Sequence, residues 1–191
     1  DDDMWVDEAG LGCMIDAWKR TPEFLVGVSQ ERTHFERDSA NRPVELAPKC
    51  APSAKGDGTM ECDFWGDDYS MVLPHPWVLS RKYLQLYMES HVLPVLVDDM
   101  FNCDDIALNA IVANFTRAPP LLLDVPVYRA DIWETDAALW SSDKEWKLHR
   151  TQCMERVRDF FGAEPPCRET GTVFRRGALP AESCPRQVEG R

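Results

Sequence analysis

No run of apolar residues in this chain approaches the roughly 20 needed to cross a bilayer, so nothing within it reads as a membrane span. No signal peptide is visible either. Glycine is sparse, 10 of 191 residues. None of it forms a phosphate-cradling loop, which excludes a P-loop or dinucleotide fingerprint. Basic charge is also short: 21 Lys and Arg against 33 Asp and Glu leave a formal net charge of −12. That balance argues against nucleic acid as a partner, because such binding sets Lys and Arg against phosphate. An initiating Met is missing as well. With Asp1-Asp2-Asp3 at its start, the chain is expected to be part of a longer protein, any membrane anchor lying only in the region before Asp1.

What is present describes a folded domain. Hydrophobic content of 44% and charged content of 28% suit a globular chain long enough for one core. Seven cysteines are many for a reducing compartment and leave at least one thiol over. Asn114-Phe115-Thr116 reads as a glycosylation acceptor. Together they point to a lumenal or extracellular setting.

Along the chain, helices alternate with short apolar strands, the pattern of an α/β layered domain. Leu11, Met14, Ile15 and Trp18 predict a helix that stops before Thr21-Pro22. Phe24 to Val28 reads as a buried strand, with Arg32 and His34 following its carboxyl end. Residues 36 to 63 are polar and carry three prolines, so they read as one long loop with Cys50 and Cys62 free to bridge it. Tyr69 to Leu73 predicts a second strand, Leu79 to Met88 a helix, and His91 to Val97 a shorter helical segment. Pro120 to Val127 reads as extended, and Trp140 to Phe161 as the longest helix. Beyond residue 163 the prolines and missing periodicity predict a poorly ordered tail, 164–191.

The chemistry concentrates at Asn102-Cys103-Asp104-Asp105. Leu108, Ile111, Val112 and Phe115 follow at i, i+3, i+4 and i+7, one buried stripe of a helix. Asn102 suits its N-cap, and the two acids suit its first turn, where the helix dipole favours negative charge. Local physics thus accepts both acids as helix-start residues without any function. In the long helix the apolar face holds Trp146, Arg150, Cys153, Val157, Phe160 and Phe161. Arg150 is out of place there, because a buried guanidinium needs an anion. A Cys103–Cys153 disulfide, with Cα atoms about 5.5–6 Å apart, would bring Arg150 within reach of Asp104 or Asp105. A purely structural bridge with a structural salt bridge fits the same residues. Asp1-Asp2-Asp3 is either a solvated acidic run or a metal clamp of hard oxygen ligands.

The motif from Asn102 to Thr116 closely resembles the signature of the exostosin-like glycosyltransferases, family 64. Tyr69-Ser70-Met71-Val72-Leu73 resembles that family's strand, and Leu148-His149-Arg150-Thr151-Gln152-Cys153 its C-terminal arginine-and-cysteine helix. Phe24 to Val28 with Arg32 and His34 resembles the segment after the family's Asp-rich motif, where Asp1-Asp2-Asp3 stands. The resemblance covers most of residues 1–163 in the same order.

That resemblance implies a GT-A fold, of which this chain is expected to be the C-terminal portion, without the nucleotide-binding half. It implies Mn²⁺, a nucleotide-diphosphate sugar donor such as a UDP-sugar, a glycan or glycolipid acceptor, and transfer of a hexose or N-acetylhexosamine with retention. Asp3 would bind the metal, while Asp1 and Asp2 contact the donor. Asp105 would be the catalytic carboxylate under the anomeric carbon, with Asn102 and Asp104 orienting substrate. Arg150 would face the diphosphate, Arg32 would touch substrate, and Cys103–Cys153 would be the family's disulfide. The parent would be a membrane-anchored glycoprotein of the Golgi or endoplasmic reticulum lumen, and this stretch alone is expected to bind the base poorly. Pro74-His75-Pro76-Trp77 replaces the Thr-Gly or Ile-Gly of many members, which leaves the acceptor open. Two other readings use the same residues: a secreted acidic, disulfide-bearing binding module without catalysis, and a metal-dependent hydrolase.

Overall fold

The computed structural model describes residues 4–28, 31–37, 39–40, 43–46, 50–54, 56, 60–62, 69–100, 102–123, 125–129 and 145–161, with backbone alone for 31–37, 43–46, 50–52, 60–62 and 129. The tail 164–191 and the Asp1-Asp2-Asp3 run lie outside these residues, as does the start of the longest expected helix.

The architecture is mixed α/β with small sheets, as the alternation of helices and strands predicts. The first helix, α1 (Glu8–Arg20), starts at Asp7, whose carboxylate accepts from Gly10 N at 2.7 Å. Lys19 and Arg20 in its last turn complement the dipole. Three strands make the central sheet: β2 (Val26–Val28) lies between β8 (Trp77–Val78), antiparallel, and β9 (Leu121–Leu123), parallel. Both β2 and β9 are buried throughout, and alternation sorts their side chains by face. Val26, Val28, Leu121 and Leu123 join Met14 and Ala17 of α1 in one core cluster. Leu25 and Leu122 join the other, formed with the remaining helices.

That second face is crowded at Gly27, where a Cβ would come within 2.6 Å of the Val72 side chain. Val72 belongs to β7 (Met71–Val72), which pairs antiparallel with β3 (Glu31–Arg37), itself paired with β4 (Pro43–Leu46). A short pair, β5 (Cys50–Pro52) with β6 (Met60–Cys62), sets Cys50 and Cys62 opposite each other in the backbone ladder. Another joins β1 (Met4–Trp5) to β10 (Tyr128–Arg129).

Residues 36 to 63 are therefore not one loop. They contain the end of β3 and three short strands, and Arg32 and His34, which follow β2 as expected, themselves lie within β3. Proline obscured this because it sits where it does least harm to a ladder: Pro43 opens β4 and Pro52 closes β5.

Four further helices lie among the described residues: α2 (Arg81–Glu89), α3 (Leu93–Met100), α4 (Asp104–Thr116) and α5 (Trp146–Phe161). Their shared core holds Tyr83, Leu93, Leu96, Ile106, Ile111, Val112, Met154 and Val157. The stripe on α4 is rotated from the one its spacing predicts. Ile111 and Val112 are buried, but Leu108 is half-buried and Phe115 is 54% exposed. The buried face instead runs through Asp105, Ile106, Ala107, Asn109 and Ala113. Phe115 lies against α2, edge-on to Tyr83 with ring centroids 5.6 Å apart and beneath the Lys82 ammonium at 4.1 Å. Among the described residues, no helix is long and apolar enough to cross a membrane.

Candidate active site

The N-terminus of α4 meets the first turns of α5, and the two are stapled by a disulfide. Cys103 and Cys153 are bonded with their Cα atoms 5.6 Å apart and are fully buried. One turn before Cys153 on the same face is Arg150, only 6% exposed. Its guanidinium grips Asp105, itself 4% exposed, through two hydrogen bonds: Nη2 donates to Oδ2 at 2.8 Å and Nη1 to Oδ1 at 3.2 Å. The anion demanded by an arginine in an apolar stripe is thus Asp105, and the paired charges meet the condition for ionic groups in a core.

Asn102 does not cap α4. The N-cap is Cys103, held in the left-handed region at φ 83°, with no side-chain cap bond. Asn102 is buried and turns its amide oxygen to two donors, Cys103 N at 2.8 Å and Arg150 Nη1 at 3.2 Å. Two donors on one oxygen fix which way the amide faces. Its Nδ2 then finds no acceptor among the described residues. The left-handed backbone at Cys103, costly for a residue with a Cβ, is over-determined by the disulfide and this hydrogen bond.

Asn109, which spacing alone does not single out, braces the pair. Its Oδ1 accepts from Val72 N at 3.2 Å, while Nδ2 donates to Val72 O at 3.0 Å and to the Asp105 carbonyl at 2.9 Å. One amide therefore ties β7 to the first turn of α4 and fixes the position of Asp105. The available signal was a polar residue four places past Asp105 inside an apolar helix, where burial demands a partner.

Asp104 stands at the rim, exposed, while its neighbour is buried. Desolvation, and then the Asp105 charge, raise its carboxyl above the ordinary carboxylate value; backbone hydrogen bonds and Arg150 act in the opposite direction. Tyr87 of α2 is within the field of the same carboxylate, and its phenol is raised by burial, then by Asp104 and Asp98.

Of the residues singled out from sequence, Asn102, Cys103, Asp104, Asp105, Arg150 and Cys153 converge on one place. The Arg32 backbone is paired with Met71 in β7, the strand that Asn109 ties to α4; its side chain lies outside the described ones. Asp1, Asp2 and Asp3 also lie outside. Among the described residues, no group of three His, Cys, Asp or Glu could hold a metal ion.

The N-terminus of α4 thus holds a buried carboxylate–guanidinium pair, with a buried amide donor unpaired beside it among the described residues, on an α/β frame. The chain belongs to glycosyl transferase family 64, whose domain matches residues 1–176. Among its relatives, exostosin-1 of Pongo abelii is 28% identical over 171 residues, and exostosin-1a of Danio rerio is 29% identical over 171 residues. Human exostosin-like 2 is 28% identical over 170 residues. Each alignment covers 86% of this chain. The chain spans 20% of the Pongo exostosin-1 and 48% of exostosin-like 2. Membership of the family makes it a glycosyltransferase sequence.

Proposed function

We propose that this chain supplies the reacting half of a retaining glycosyltransferase of GT-A fold. The parent moves a hexose or N-acetylhexosamine from a nucleotide-diphosphate sugar to a glycan or glycolipid in the Golgi or endoplasmic reticulum lumen. The observation that carries this reading is the buried Asp105–Arg150 pair with Asn102 Nδ2, also buried, unpaired at its side among the described residues. Leaving-group departure from an anomeric carbon creates positive charge on the sugar and negative charge on the diphosphate. Asp105 answers the first and Arg150 the second, both held before the reaction begins, which is where electrostatic preorganisation is strongest.

The hydrogen bonds also favour one of the two routes open to a retaining enzyme. Asp105 Oδ1 accepts from Ile106 N at 2.7 Å as well as from Arg150, and Oδ2 accepts from Arg150. With both oxygens engaged, the carboxylate acts by charge on an oxocarbenium-like centre rather than by covalent attack. Asn102 Nδ2 donates to a sugar or phosphate oxygen, and Asp104 orients substrate from the rim. Arg32 contacts substrate from the strand beside β7.

Asp3 provides the metal ligand, and Asp1 and Asp2 contact the donor sugar and ribose. Carboxylate oxygens are the donor class that Mn²⁺ takes beside a diphosphate. Bound there, the ion would offset diphosphate charge. Lumenal residence is supported by the Cys103–Cys153 bridge and by Cys13, also disulfide-bonded.

Titration calorimetry on the full-length protein tests this. UDP-sugar binding that requires Mn²⁺, with sugar transferred only when an acceptor is present, is the expected result. Absence of nucleotide binding would leave a disulfide-bearing binding module, and release of free sugar regardless of acceptor would indicate a hydrolase.

A further inference from the structure

We propose that Cys50 and Cys62 form a disulfide that closes the β5–β6 hairpin; this rests on the lumenal residence proposed above. Backbone register carries the assignment. In this antiparallel pair Cys50 stands opposite Cys62, Ala51 opposite Glu61 and Pro52 opposite Met60.

Opposed residues of an antiparallel pair alternate between two classes, and proline decides which class applies. In one class the residues exchange both backbone hydrogen bonds, with Cα atoms about 5.5 Å apart; in the other they exchange none and approach to about 4.5 Å. Proline has no N–H to give, so Pro52 fits the second class without loss to the ladder. Cys50 lies two residues before Pro52 and by alternation belongs to the same class. The two cysteine positions thus share one face of the hairpin at the closer spacing, inside the about 4.4–6.8 Å that disulfides span.

The hairpin also has reason to need the bond. Just past Pro52, Gly56 takes a left-handed φ of 65° and its N–H donates to Ser53 O at 3.2 Å, so a turn holds this end. Cys50 and Cys62 mark the opposite, open end. Among the described residues β5 and β6 pair only with each other, and a lone two-stranded hairpin is marginal in water. A cross-link at the open end supplies the constraint that neighbouring strands would otherwise give.

Sulfur elsewhere in the chain is already oxidised: Cys103 is bonded to Cys153, and Cys13 is disulfide-bonded. Thiols that share their compartment meet the same oxidant. Closure breaks two S–H bonds and forms one S–S bond. Two protons pass to base, and the electron pair reduces the disulfide of a lumenal protein oxidant to its dithiol through a mixed disulfide. The remaining pairing follows by elimination. Cys13 takes its partner from Cys167 and Cys184, and one of the seven cysteines stays a thiol.

The test maps disulfides in the full-length protein from a eukaryotic secretory host, alkylated in denaturant and digested without reductant. Trypsin cuts after Lys49 and Lys55, which parts the two cysteines, so mass spectrometry should find their peptides joined until reductant is added. Cys103–Cys153 is the internal control. If that pair is joined while Cys50 or Cys62 is alkylated, or is linked to Cys13, this proposal is overturned and the lumenal reading stands. Alkylation of both pairs overturns the two together. In a Cys50→Ser variant, Cys62 should become newly alkylatable and Cys13 should stay protected; release of Cys13 instead contradicts the pairing.

Discussion

Arg150 and Asp105 meet through two parallel hydrogen bonds, 2.8 and 3.2 Å long, although 45 residues separate them in sequence. Neither charge has water to fall back on, so the loss of one strands the other. Arg150→Met should cost about 3–5 kcal/mol, the usual penalty for unpairing a buried charge. Adding Asp105→Asn should return part of that stability while leaving transfer activity absent. Denaturant melts of Arg150→Met, Asp105→Asn and the double variant check this; additive losses would show that the two groups are not coupled.

The Cys103–Cys153 bridge closes a sequence separation of 50 residues. Chain-entropy arguments assign about 4 kcal/mol to a loop of that size. Cys153→Ser should therefore lower the melting temperature markedly and release Cys103 from its left-handed backbone. Activity should fall with it, because Arg150 sits one turn away. Thermal melts with and without reductant should show the same loss for wild type, and no further loss in the variant beyond that from its other disulfides.

Asn109 should prove costlier than its chemistry suggests. Asn109→Ala leaves the Val72 N–H and C=O without their amide partner, at about 1–3 kcal/mol per stranded group. Asn109→Asp keeps an acceptor for Val72 N but loses both donors, so it should be destabilised too. Hydrogen exchange at the Val72 amide reads the effect directly, and unchanged protection in Asn109→Ala would count against the clamp.

Asp104 predicts a pH dependence with a definite sign. Its folded-state pKa is raised above 3.8, chiefly by desolvation, so the native state keeps a proton that the unfolded chain has already released. The folded protein binds more protons in that window, and stability falls as pH rises through it. Asp104→Asn has no such proton to lose. Relative to wild type, the variant should gain stability as pH climbs past 3.8 and then level off, seen as a widening gap in denaturation midpoints. A gap that stays constant would remove the effect.

Local spacing made the helices legible, and an arginine amid apolar neighbours announced a hidden anion. The choice between Asp104 and Asp105 was not legible, because it depends on how α5 is rotated when the disulfide closes. Phe115 fits a stripe by count, yet it lies outside the core because α2 offers it an aromatic edge and the Lys82 ammonium. Asn102 has the composition of a cap, but the burial of Arg150 beside it claims its oxygen. The strands between residues 36 and 63 escaped notice because each is only a few residues long and is defined by its partner. Likewise, nothing near Val26 foretells its parallel pairing with Leu121.

Release of nucleoside diphosphate by the full-length protein, measured with UDP-sugar, Mn²⁺ and acceptor, asks most directly whether the buried pair performs the chemistry. Asp105→Asn and Arg150→Ala, each compared at equal folded fraction, should slow turnover by about 10²-fold or more, the scale for removing a preorganised charge. Turnover at the wild-type rate in both variants would contradict the account.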